Sequence, residues 1–233
     1  MTGSVLGSTG FIVLTPPSVE PVTLTDVKDW LNIDFSSKDT LIGKLITRAR
    51  TRCETVLGRA LASQQIQATY PITRPQGGEL SGPVDHGPDW YQYQEQLGAN
   101  PFGASMFYFD LPMAPIDTTQ TCTVETKITA FDNWSTFFTG NPPSATPSGG
   151  VWVDNNQEPA RFYFQSPLTA NFWRFTFWAG YSATTFPLPG DIAEPLLEYI
   201  SYWYDYRDGG GDANRVQQIE SKLLSRRLAS SWI

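Results

Sequence analysis

The stretch Ser36–Gly58, SSKDTLIGKLITRARTRCETVLG, constrains this chain more than any other. Leu41, Leu45, Ala49, Cys53 and Val56 recur at steps of four or three, and Ile42, Ile46 and Leu57 widen the same stripe. That is the period of a helix with one buried face. Ser36 with Asp39 three residues on is an acidic variant of the capping box, and Gly58 suits a left-handed C-terminal cap. A helix over 37–57 would be about 32 Å long at about 1.5 Å per residue, the width of a small domain. Lys44, Arg48, Arg50 and Arg52 fall between the apolar positions, with Arg59 just beyond, and read as a solvated basic face.

A shorter helix precedes it. Thr23 with Asp26 three residues later opens TLTDVKDWLNI, whose inner face is Leu24, Val27 and Leu31. It is too short to stand alone, so it must pack on the long helix, giving a helical hairpin over 22–60. Residues 1–21 are rich in Gly, Ser, Thr and Pro and read as a flexible arm. Their one apolar patch, Phe11–Leu14, could add a strand to a neighbour.

From Leu61 the period changes to two. Gln65–Tyr70 and Cys122–Ile128 alternate, and Met106–Leu111, Val151–Asp154, Ala160–Gln165 and Phe172–Ala179 are strand-like runs of aromatic and β-branched residues. Asn155-Asn156-Gln157-Glu158 reads as a hairpin turn. Residues 61–188 hold 23 of the 32 aromatic side chains, enough for a small sheet to have a dense core. In Phe172–Trp178 alternate rings should face that core. Two long loops, 74–105 and 139–150, interrupt the region, and loops of that length are functional or disordered.

Helical periodicity returns after Pro189. Ile192, Leu196, Leu197, Ile200, Trp203 and Tyr204 define a buried face over 189–211, with Pro195 expected in its first turn. Gly209-Gly210-Gly211 ends it, and Asp212 caps a last helix over 212–233 with Val216, Ile219, Leu223 and Leu228 on one side. The fold class is therefore α+β: a helical hairpin and C-terminal helices bracketing an inserted, aromatic-rich antiparallel β domain, sandwich-like or barrel-like.

The 233 residues suffice to bury a core without staples, and two cysteines 69 positions apart make neither a disulfide framework nor a zinc site. Cys53 and Cys122 read as small core residues in a reducing compartment. No basic residue precedes Lys28, so the start lacks the positive region of a secretory signal, and no apolar run nears the ~20 residues a membrane helix needs. A soluble protein without a membrane partner is expected. The net charge of −7 is uneven: +1 over 1–60, −6 over 61–188 and −2 over 189–233. An acidic middle argues against gripping DNA by its phosphates, though not against a surface past which DNA slides.

Chemistry is hard to find. The one histidine, His86, lies among Gly and Pro in PVDHGPDW, flanked by Asp85 and Asp89, which would make at most a weak cation site. Phosphate-loop, dinucleotide, nucleophile-elbow and zinc-helix motifs are missing from the sequence. Neither an enzyme nor a cofactor is expected. Trp90, Tyr91 and Tyr93, aromatic residues with no core period, mark a candidate contact loop. They also motivate an alternative, a β-rich binding module that recognises a receptor or carbohydrate.

Several segments, in order, resemble the head–tail connector (adaptor, head-completion) proteins of tailed bacteriophages. They are PVTLTDVKDWLNID, SKDTLIGKLITRARTRCETVLGRAL, QIQATY, FDLPMAPI, FWRFTFWAGY and FPLPGDIAEPLLEYISYWYDYRD. The family features are Leu111-Pro112 and Pro115 before a strand, Gly180-Tyr181 closing the last strand, and Trp203-Tyr204 with Arg207 in the helix that follows. The resemblance implies a structural protein of the virion neck, assembled in the host cytoplasm. It implies a ring of about twelve copies between the portal and a tail, stopper or nozzle protein, extending the channel through which double-stranded DNA passes without specific binding. Lys44, Arg48, Arg50 and Arg52 then become a candidate subunit–subunit face, Trp90, Tyr91 and Tyr93 a candidate contact loop for a tail or fibre protein, and the alternative a β-rich tail-associated module. The C-terminal helix becomes the portal-docking element, through Arg215, Ile219, Lys222, Leu223, Arg226, Arg227, Leu228 and Trp232. A helix tethered by Gly209–Gly211 could order on docking, its basic end suiting an acidic groove.

Overall fold

The computed structural model describes residues 10–71, 107–142, 151–156, 159–164, 170–182, 186–206 and 211–227. Among them, helices α1 (Leu24–Leu31) and α2 (Asp39–Leu57) form the expected hairpin. Thr23 caps α1 as its sequence requires: the Asp26 N–H donates to Thr23 Oγ1 at 3.1 Å, and the Thr23 N–H donates to the Asp26 carboxylate at 2.9 Å. The second box does not form. Helix α2 begins at Asp39, with Lys38 at the cap position and no side-chain cap bond. The Asp39 carboxylate accepts instead from Lys28 Nζ at 3.0 Å, so it ties α1 to α2. Gly58 ends α2 at φ +67, the left-handed conformation that glycine adopts without a Cβ penalty.

Among the described residues there are eight strands, six that follow the alternation of the sequence and two additions. Strand β2 (Gln64–Pro71) and β8 (Phe172–Ala179) form the centre of an antiparallel sheet ordered β1-β2-β8-β4-β5, with β4 at Cys122–Lys127. Its outer strands are the additions. Strand β1 (Phe11–Thr15) lies in the segment read as a flexible arm, and the patch adds to its own sheet by pairing with β2. Strand β5 (Ser135–Gly140) runs into the segment read as the start of the second loop. A second sheet, β3-β7-β6, consists of Phe107–Leu111, Ala160–Phe164 and Val151–Asp154.

The two sheets face each other as a sandwich filled by rings. Trp173, Phe175 and Phe177 on β8 point inward and are at most 2% exposed, alternating with half-buried Arg174 and Thr176. Phe175 meets Phe109 at 4.9 Å and Phe162 at 5.4 Å between ring centroids, both edge-on, the arrangement that ring quadrupoles favour. Cys122 lies in this core, where burial pushes its thiol up to about 12.

The chain returns to the helical unit through α3 (Gly190–Asp205) and α4 (Ala213–Leu223), followed by a 3-10 turn at Leu224–Arg226. Because α3 starts at Gly190, Pro195 sits in its second turn, one turn later than the sequence suggests. Its ring removes the hydrogen bond that an N–H would give the Asp191 carbonyl. Helix α3 packs on α2, and α4 packs on both. Ile42, Ala49, Cys53 and Leu57 of α2 share one core with Leu196 and Ile200 of α3 and Ile219 and Leu223 of α4.

At the seam between the two cores the chain crosses itself closely. Gly180 follows β8 at φ +118, and its N–H donates to the Pro115 carbonyl at 2.8 Å. A Cβ there would lie 2.2 Å from the Ala62 carbonyl oxygen, a backbone atom with no rotamer to change. Gly180→Ala is expected to lower stability by about 2–4 kcal/mol, from left-handed strain and overlap together. A denaturant midpoint unchanged from wild type would contradict this account of the seam.

Candidate assembly surfaces

The terminal helix is built into the fold. Asp212 caps it, accepting from the Asn214 N–H at 2.8 Å. The linker end before it is held as well: Tyr202 Oη donates to the Asp212 carbonyl at 3.2 Å, filling the space a Gly211 side chain would take. Ile219 and Leu223, expected to be portal anchors, are fully buried in the helical core.

The basic side chains of the same helix also find partners at home. Asp191, Glu194 and Glu198 line one face of α3 at steps of three and four. Arg215 lies 3.8 Å from Glu198, Lys222 bonds Glu198 and lies 3.7 Å from Glu194, and Arg226 meets Asp191 at 2.6 Å. The Glu198 carboxylate raises the Lys222 pKa above its ordinary value. An acidic face that pairs with these cations is thus present on this chain's own α3. Helix formation with a 3.6-residue period is what turns the apolar and basic sides of α4 onto α3 together.

Two residues of this region stay outward. Arg227 is exposed, and Leu224, which the sequence reading passed over, is 54% exposed. Leu224 could have been found as a leucine off the 216–219–223 stripe. Leu228 and Trp232 lie outside the described residues, as do His86, Trp90, Tyr91 and Tyr93.

The cationic face of α2 divides in the same way. Arg50 is the clearest correction: it is 9% exposed and cannot belong to a solvated or subunit-facing surface. Its Nε donates to Glu20 at 2.8 Å and its Nη1 to Glu54 at 2.8 Å. Glu54, also 9% exposed, accepts in addition from the Leu61 N–H at 2.9 Å and from Gln64 Nε2 at 3.2 Å. Burial raises the Glu54 pKa, and the Leu61 N–H and Arg50 oppose that rise. Sequence spacing could have offered the Arg50–Glu54 pair, one helical turn apart. Nothing local announces Glu20 or Leu61.

Arg52 pairs with Glu220 of α4, whose carboxylate also accepts from Tyr199 Oη at 3.0 Å. Arg48 is exposed but lies over the Trp203 ring at 4.1 Å, and Trp203 stacks on Tyr199 at 5.0 Å. Lys44 is exposed. Of the four cations expected to meet a neighbour, Lys44 is the one without such a partner within its own subunit among the described residues. Arg59, at the end of α2, is 5% exposed and donates from Nε to the Arg226 carbonyl at 2.7 Å, joining the seam to the C-terminal turn.

The described residues contain no cluster of three or more metal-ligating side chains and no helix long and apolar enough to cross a membrane. The surfaces can bind through apolar edges and ion pairs.

Residues 21–77 match the family model described as phage gp6-like head-tail connector protein. The segment holds α1, α2 and β2 with the whole Glu54 network except Glu20. The fold is shared over almost the full length with chains of gene transfer agent (GTA) particles. A chain of the neck of an empty GTA particle, computed with C6 symmetry, superposes with a TM-score of 0.60 at 14% identity, covering 95% of this chain and 96% of that one. A chain of the virion of a native GTA particle gives 0.57 at 16% identity, covering 94% and 96%. One from the neck of a native particle, computed with C12 symmetry, gives 0.54 at 15% identity, covering 95% and 96%. No curated protein matches the chain significantly.

Proposed function

We propose that this protein is a structural head–tail adaptor: copies form a ring in the neck of a virion, between the portal and the tail, around the channel for DNA. The observation that carries the reading is the connector match over α1–β2 within a fold shared end to end with GTA neck chains. The role is structural rather than catalytic. The charge supports it too, since −7 per copy over about twelve copies gives a ring of roughly −80, and an acidic ring passes DNA without holding it.

With Ile219 and Leu223 buried, portal docking falls to the outward remainder of the C-terminal region, led by Leu224 and Arg227. The chain mixed with its portal protein should give ring-shaped complexes in negative-stain images. The double variant Leu224→Asp, Arg227→Glu should bind the portal at least about 10-fold more weakly, the loss expected for one apolar anchor and one charge, with its melting temperature unchanged. Rings and complexes missing under every condition would overturn the adaptor reading. Undiminished binding by the variant would overturn the assignment of these two residues.

A further inference from the structure

We infer that the two outer strands of the five-stranded sheet join neighbouring copies edge to edge, β5 of one copy pairing in parallel with β1 of the next. The inference rests on the ring reading and gives that ring its lateral contact. Among the described residues, β1 is hydrogen-bonded to β2 alone and β5 to β4 alone, so each leaves one side of its backbone open. Phe11, Ile12, Val13 and Leu14 are 37, 56, 44 and 44% exposed, so β1 has no buried face at all. Phe11 and Val13 stand opposite Ala68 and Ile66, which are fully buried. They therefore lie on the core side of the sheet, beyond the reach of the second sheet's cover. An edge strand left to water is normally guarded by charge, proline or a short length, because its backbone is a template for another strand. Neither FIVLT nor STFFTG contains a charged residue or a proline.

The occupant is a second copy because the sheet ends in two such edges with matching direction. Each of the four steps from β1 through β2, β8 and β4 to β5 is antiparallel, so β1 and β5 run the same way. One rotation repeated from copy to copy brings β5 onto β1 each time, a heterologous contact that closes into a ring. Pairing of β1 with β1 about a two-fold axis would stop at a dimer and leave both β5 edges open. The helical unit offers less, since Arg50 and Arg52 are paired within the subunit.

Ile12 stands opposite half-buried Gln67, and Thr136 opposite half-buried Glu125, so both lie on the outer face of the sheet. In full-length protein carrying Ile12→Cys and Thr136→Cys, a short thiol cross-linker should give a covalent ladder extending past dimers. Cys53 and Cys122 are buried and stay out of the reaction. Ile12→Cys alone should give no dimer; if it does, the edges pair two-fold and the inference fails. Val13→Lys should convert rings to monomers with unchanged helical circular dichroism and melting temperature. Intact rings of Val13→Lys overturn the inference while leaving the ring reading in place, and if those rings have lost portal binding, the strand's partner is the portal. Wild-type protein that forms no ring, with or without portal, overturns both.

Discussion

A chain ending at Gly211 is expected to lose about 3–6 kcal/mol of stability. That is the worth of two fully buried aliphatic side chains at about 1.5–3 kcal/mol each, since Ile219 and Leu223 have no exposure. The surface ion pairs add little, because exposed pairs contribute about 0–1 kcal/mol apiece. The truncation also uncovers Leu196 and Ile200 of α3, which share that core. Chemical denaturation of full-length and truncated protein measures the difference. Equal midpoints would mean that α4 is a tethered arm, as its glycine linker suggested, and not a core helix. The result bears directly on function: loss of portal binding on truncation cannot by itself locate the docking residues, because the truncation weakens the helical unit too. The Leu224 and Arg227 substitutions touch the outward side alone. Leu223→Ala, costing about 2–5 kcal/mol through the cavity it leaves, serves as the matching internal control.

The helices were legible because their information is local. The stripe from Leu41 to Leu57, the Thr23–Asp26 box and the Gly58 cap each lie within a turn or two of what they specify. So were the strands with a buried face, since Trp173, Phe175 and Phe177 alternate with partners that face out. Strands β1 and β5 escaped for a shared reason. Neither alternates along its whole length: β1 is exposed throughout, and β5 alternates only over its last residues, where Phe138 packs on the sandwich core. The destinations of the cations were illegible for another reason. Arg50 and Arg52 look like any solvated arginine until Glu20, Glu54 and Glu220 arrive from 30 residues before, 4 after and 168 after. Likewise, the acidic stripe of α3 and the basic side of α4 were both visible, but only packing reveals that each answers the other. The expected portal helix failed as a free element because the apolar period that made it a helix also gave it a core to join.

Glu54→Ala should cost about 3–5 kcal/mol, the penalty for breaking a buried pair from one side. Removing the carboxylate takes one of two acceptors from Arg50, which is 9% exposed, and takes the acceptors of the Leu61 N–H and Gln64 Nε2 as well. Gln64 opens β2, whereas Leu61 packs in the helical core beside α2, so the substitution cuts one link between α2 and the sheet. Glu54→Gln distinguishes charge from hydrogen bonding, since it retains an acceptor for Leu61. Burial lifts the Glu54 pKa above its ordinary 4.5, so the folded state holds this proton more tightly than the unfolded chain. The resulting stabilisation is complete below 4.5 and disappears as pH rises through the folded-state value. Wild type should therefore lose stability relative to Glu54→Gln as pH climbs upward from 4.5. A difference that is flat with pH would mean that the Leu61 N–H and Arg50 balance burial at this carboxylate, and one that grows in favour of wild type that they outweigh it. Should Glu54→Ala unfold at the wild-type midpoint, the two cores are held together by the Gly180 crossing and the Arg59 contact instead. The loss of assembly would then follow substitutions there and not at Glu54.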